Sequence, residues 1–170
     1  MSRISSAIEI AAVAGGGGSG ALIDLYTRRV PNALTLGLAA VGLAFAALGL
    51  TNVGLGAALG GFVVGLALML PGHLLGATGA GDVKLLAACG VWLGPARTGQ
   101  AFFYTALAGG VLALAVAIRR RRFAETMERT GALVRSVGTA VADIEAPTAD
   151  NRFAYAPAIA VGALVAALGF

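Results

Sequence analysis

Gly79-Ala80-Gly81-Asp82-Val83-Lys84-Leu85-Leu86-Ala87-Ala88-Cys89-Gly90-Val91 is the stretch whose reading decides the fold. An acid and an amine two residues apart follow a Gly-x-Gly turn, and the flanks on both sides are almost wholly apolar. A charge among such neighbours costs about 3 kcal/mol even on lenient insertion scales, so it marks a functional site. A second charged island of the same character is Asp24, followed by Tyr26, Arg28, Arg29 and the turn Val30-Pro31-Asn32.

The 170 residues are 58% hydrophobic and only 12% charged. A soluble domain carries about 25% charged residues, so this chain lacks the polar surface to face water, and it reads as an integral membrane protein whose partner is the lipid bilayer. At roughly 20 residues per helical span, the length fits one all-α domain, residues 1–170, with six spans. The net charge is +4. Four of the twelve basic residues form one run, Arg119 to Arg122, at the end of an apolar stretch. That position fits a cytoplasmic loop, and no nucleic-acid partner is expected. One cysteine, Cys89, excludes an internal disulfide and a four-cysteine zinc site; inside an apolar helix it reads as a small hydrophobe.

Apolar runs place the spans at about 7–25, 33–50, 53–75, 82–95, 100–118 and 154–170. In the first, the Gly15–Gly20 block lets neighbouring backbones approach closely, and Glu9 is expected to reach headgroups or water. The third holds Gly-x-x-x-Gly spacings at 56/60 and 61/65, again a signature of close helix contact. His73, in the bend after Pro71-Gly72, reads as a hydrogen-bonding interface residue. From Asp82 to Leu93 the helix covers about 18 Å, short of the roughly 30 Å hydrocarbon core. Asp82 is therefore expected below the membrane surface, in a hydrated cavity between helices, with Trp92 in the aromatic belt at the opposite face. Residues 119–152 are the one long polar segment, and their periodicity is that of an amphipathic helix on the cytoplasmic leaflet.

Topology decides whether the two acids can meet. Alternating spans put Arg28, Arg29, Lys84, Arg119, Arg120, Arg121, Arg122, Arg129, Arg135 and Arg152 on one side, against Arg3 and Arg97 on the other. Ten against two makes the first side cytoplasmic and leaves both termini outside. Asp24 closes the first span at that face and Asp82 opens the fourth at the same face.

Two aspartates held together share a proton and titrate as a pair. The ionised member can take a proton from water while the protonated member polarises a carbonyl, which is aspartic-protease chemistry. Lys84 either places positive charge near the site or anchors the chain at the headgroups. The residues alone also leave room for a transporter whose buried acids carry protons or cations, and for a non-catalytic assembly scaffold. A metal held by the two acids would be short of ligands, and no metal or cofactor is expected.

Three motifs carry a resemblance. Gly79-Ala80-Gly81-Asp82-Val83-Lys84 is similar to the Gly-x-Gly-Asp-x-Lys motif of type IV prepilin leader peptidases. Asp24 with Arg28-Arg29-Val30-Pro31-Asn32-Ala33-Leu34-Thr35-Leu36 resembles that family's first aspartate motif, and Tyr155-Ala156-Pro157-Ala158-Ile159-Ala160 resembles its last-span segment, with Ala154 where proline is frequent. The resemblance implies a membrane aspartic endopeptidase that removes short basic leaders from prepilin or pseudopilin precursors at the cytoplasmic face of a bacterial inner membrane. Asp24 and Asp82 would be its catalytic pair, with Gly79, Gly81, Lys84, Pro31 and Asn32 shaping the site or binding substrate. Larger members carry a cytosolic domain with paired cysteines and methylate the new N-terminus. With Cys89 alone in this chain, cleavage without methylation is expected, as in compact tight-adherence (Flp-type) members.

Overall fold

The computed structural model describes residues 3–119 and 155–169. The expected amphipathic segment at 119–152 lies outside the described residues, apart from its first position. The chain divides into two compact units, Met1–Gly109 with Ala154–Phe170, and Gly110–Phe153. In the second unit the description covers only the last part of one helix.

Five helices are described: α1 (Arg3–Thr27), α2 (Asn32–Ala47), α3 (Leu55–Leu74), α4 (Ala80–Arg119) and α5 (Ala156–Leu168). Three of them, α1, α3 and the 80–115 part of α4, are long and apolar enough to cross a membrane, while α2 and α5 are shorter apolar helices. Large apolar side chains such as Leu22, Leu36, Leu59 and Val63 lie exposed. Such surface suits lipid, and the chain is an integral membrane protein.

The apolar part of the 79–91 stretch, from Leu85 onward, lies in the core of the first unit. Between 85 and 93 of α4, Leu85, Leu86, Ala87, Ala88, Cys89, Val91, Trp92 and Leu93 are all buried. A helix apolar all round must be enclosed by others, and α1, α2 and α3 pack directly against it at Gly20, Gly42 and Gly61. The buried positions of α1 are Glu9, Val13, Gly17, Gly20 and Asp24, spaced at three or four residues and hence on one face. A Cβ built on Gly20 would lie 3.1 Å from Leu85, and one on Gly17 would lie 3.4 Å from Ala160 of α5. The small residues thus set α1 against both partners. Across the core, α3 meets α4 backbone to backbone. A Cβ on Gly61 would strike the Gly90 carbonyl oxygen, and one on Gly65 would come within 2.7 Å of the Ala87 Cα. Of the two Gly-x-x-x-Gly spacings, 61/65 makes this crossing, whereas Gly56 faces open space.

Several boundaries differ from expectation. The anticipated turn between 95 and 100 shrinks to one residue, Gly94, at φ 73 and ψ 172. Only glycine adopts that backbone freely, and Pro95 cannot continue the helix behind it. The break separates helical arms at 80–93 and 95–119, and the Thr98 hydroxyl donates to the freed Gly94 carbonyl at 2.6 Å. At its other limit α1 continues past Asp24 to Thr27 and ends on Arg28, whose left-handed φ of 53 lets its N–H donate to the Asp24 carbonyl at 2.8 Å. Asp24 therefore lies in the last turn of α1, as expected, and only the end of the helix moves, from 25 to Thr27.

Two polar expectations are also corrected. Trp92 does not sit in an aromatic belt. It is 2% exposed, packs against Phe45 and donates its indole N–H to the Leu38 carbonyl at 3.0 Å. An indole needs one acceptor when buried, and α2 supplies it where Gly42 leaves space. Glu9 likewise does not reach outward. It is 3% exposed, and its carboxylate accepts the Asn52 N–H at 2.6 Å, tying α1 to the α2–α3 turn. Glu9→Ala would leave that donor unpaired, a loss of about 1–3 kcal/mol, whereas Glu9→Gln keeps an acceptor and should cost less. Thermal unfolding of the two variants in detergent checks this ordering. Glu9 lies about 22 Å along α1 from Asp24, so cleavage by the folded fraction should be unchanged.

Candidate active site

The 79–84 stretch builds its own geometry. Gly79 precedes α4 and Asp82 is its third residue, the position from which an acid can reach back to the N–H that opens the helix. It does so: the Gly79 N–H donates to Asp82 Oδ2 at 3.0 Å, and the Asp82 N–H donates to the Gly79 carbonyl at 3.1 Å. The carboxylate is 7% exposed and its orientation follows from helix capping. Gly81 answers a different need. A Cβ there would lie 3.1 Å from the Val30 Cβ and 3.3 Å from its nitrogen. The α1–α2 connection is thereby brought against the first turn of α4.

Pro31 starts α2, its carbonyl accepting the N–H groups of Leu34 and Thr35. Asn32 Oδ1 accepts from the Lys84 ammonium at 3.0 Å across an exposed edge. Lys84 is therefore joined to the α1–α2 connection. His73 accords with its hydrogen-bonding reading, its Nδ1 lying 3.0 Å from the Thr78 carbonyl oxygen. With a carbonyl as partner, Nδ1 carries the proton.

Asp24 is 6% exposed, and its Oδ2 accepts the N–H of Ala156 at 3.4 Å. The reason lies in α5. That helix begins with no side-chain cap of its own and with proline in its first turn. Pro157 has no N–H, and the next two N–H groups, of Ala158 and Ile159, donate to the Tyr155 carbonyl. The Ala156 N–H is left over, and Asp24 reaches it from α1. Each acid thus accepts a main-chain N–H at a helix N-terminus, Asp82 at α4 and Asp24 at α5, where the macrodipole also favours a carboxylate. Asp24 is near enough to act on Asp82 electrostatically.

The predicted residues Asp24, Asp82, Gly79, Gly81, Lys84, Pro31 and Asn32 therefore gather at one end of the first unit, where α1 ends and α2, α4 and α5 begin. Sequence reasoning missed the Ala156 amide, because a main-chain donor leaves no mark on residue identity. The motif at 155–160 was the one signal pointing to that place.

A model of the type IV leader peptidase family matches residues 12–114. The chain belongs to the type IV leader peptidase family. No curated protein and no solved structure matches it. The matched region runs from α1 through α4 and contains both acids and the Gly-x-Gly turn. A leader peptidase hydrolyses a peptide bond in prepilin-type substrates, which decides between the protease and the transporter that the residues had left open. This leader peptidase is accordingly a membrane-embedded hydrolase.

Proposed function

We propose that this leader peptidase is an aspartic endopeptidase whose catalytic pair is Asp24 and Asp82. The observation that carries the reading is the anchoring of both buried carboxylates by main-chain amides at converging helix ends. One oxygen of each acid is held by the fold, and the pair can share one proton between the remaining two. The ionised acid takes a proton from water as the water oxygen bonds to the scissile carbonyl carbon. The carbonyl π pair moves onto its oxygen, which receives the proton of the other acid. Collapse of this tetrahedral species breaks the C–N bond as the proton gained from water passes to the departing amine, while one hydroxyl of the gem-diol returns its proton to the other acid and the carbonyl re-forms. One water is consumed and the pair is restored.

The wider reading is a bundle of six crossings with both termini outside and the pair at the cytoplasmic face of a bacterial inner membrane. The distribution of arginine and lysine supports it. The substrate is a prepilin or pseudopilin precursor with a basic leader ahead of an apolar helix. Its junction at the interface is easier to unwind than an intact helix within the membrane. Gly79 and Gly81 shape the turn that carries Asp82 and let Val30 close on it, with Pro31, Asn32 and Lys84 as the adjoining wall for the extended backbone. With Cys89 as its one cysteine, the protein acts as a compact Flp-type peptidase and does not methylate. Mass spectrometry of a precursor incubated with the purified protein is expected to give a product lacking the leader and bearing an unmodified amine. An uncut precursor contradicts the peptidase reading, and a methylated product contradicts the second part.

A further inference from the structure

Between the two acids and the second arm of α4 stands a side chain with no role so far. Tyr155 begins α5, one residue before the amide that holds Asp24. Its ring packs against the core and is only partly buried. The phenol end lies over Gly109: a Cβ built there would come within 2.5 Å of Cε2 and 2.7 Å of the hydroxyl oxygen. Any larger residue at 109 would push the ring away, so glycine at this position keeps the phenol where it is. Among the described residues the hydroxyl makes no hydrogen bond. It is also within electrostatic reach of Asp82. A donor held over Gly109, next in sequence to the amide that anchors Asp24 and unused among the described residues, has the placement expected of a group that binds a reacting oxygen.

We propose that Tyr155 is a further catalytic residue, whose hydroxyl donates a hydrogen bond to the oxygen of the scissile carbonyl as that carbon becomes tetrahedral. The inference rests on the aspartate pair as the proton-transferring groups. The phenol keeps its proton throughout, strengthening its hydrogen bond as charge develops on the oxygen. Gly109 positions it.

The test is steady-state cleavage of a prepilin-type precursor by the full-length protein in detergent, comparing wild type, Tyr155→Phe, Gly109→Ala, Asp24→Asn and Asp82→Asn. Phe retains the ring and its packing, so Tyr155→Phe should fold and melt like wild type while kcat falls about 100-fold, as for loss of one oxyanion donor. KM should stay within a factor of about three, with the limbs of the pH profile unmoved, since the interaction is made in the transition state alone. Gly109→Ala, which displaces the phenol, should show the same kcat loss. Near-wild-type turnover of Tyr155→Phe would overturn the proposal, leaving the ring a packing role. A kcat loss accompanied by a displaced pH limb would overturn it too, because the phenol would then act through Asp82. The aspartate variants separate the two levels. If they are inactive while Tyr155→Phe is normal, only the tyrosine assignment fails; if they retain activity, the pair itself fails.

Discussion

Asp82→Asn should lose leader cleavage by about 10³-fold or more, the scale of a removed general acid or base, and Asp24→Asn should match it. The substitution is chosen because it leaves the fold intact. Asparagine keeps a carbonyl oxygen, which can still accept the Gly79 N–H at the start of α4 or the Ala156 N–H at the start of α5. The caps survive and only the ionisable function is gone. Both variants should therefore be recovered in wild-type yield, with unchanged melting, and bind precursor without cutting it. A cleavage rate within about tenfold of wild type for either would remove that residue from the chemistry.

The largest effect on stability is expected at the α3–α4 crossing. In Gly61→Ala the new Cβ meets the Gly90 carbonyl oxygen and lies within 2.8 Å of the Gly90 carbonyl carbon and 3.0 Å of that of Gly94. These are backbone atoms of the buried central helix, with no flexible side chain to yield. Overpacking of a close-packed interior costs about 1–3 kcal/mol, and a collision with main chain on both sides belongs at the top of that range. For a chain of this size such a loss lowers the melting temperature by roughly 6–12 °C. Gly18→Ala is the matched control, because nothing lies within 4 Å of a Cβ there. It should leave melting unchanged or raise it, as alanine is the better helix former by up to about 1 kcal/mol. Equal melting of the two variants in detergent would contradict the close crossing.

The central helix and the acids at one end of the bundle were legible in the sequence because each rests on residue identity. A run apolar on every side, from Leu85 to Leu93, has to be enclosed, and Asp24 and Asp82 stand out against apolar surroundings. The 61/65 glycines carried their spacing into a real crossing. Other features depended on partners that no local pattern announces. Trp92 at a span end is as compatible with a lipid interface as with an interior acceptor, and the deciding group is a carbonyl 54 residues away in sequence. Glu9 read as outward-facing because a lone acid near a terminus is normally solvated, yet the main chain of Asn52 supplies an N–H for it. Gly94 followed by Pro95 signals a break, but not its length. The tie between Asp24 and Ala156 spans 132 residues and uses a backbone donor, so it became visible only with the helices assembled.

The central claim is that the two acids act as one unit, and a double-mutant cycle tests it most directly. Cleavage rates of wild type, Asp24→Asn, Asp82→Asn and the double variant are measured on one precursor. Groups sharing a proton lose their joint function when either is removed, so the double variant should retain the same residual rate as each single variant. Losses that multiply, or a single variant that cuts at the normal rate, would contradict the account.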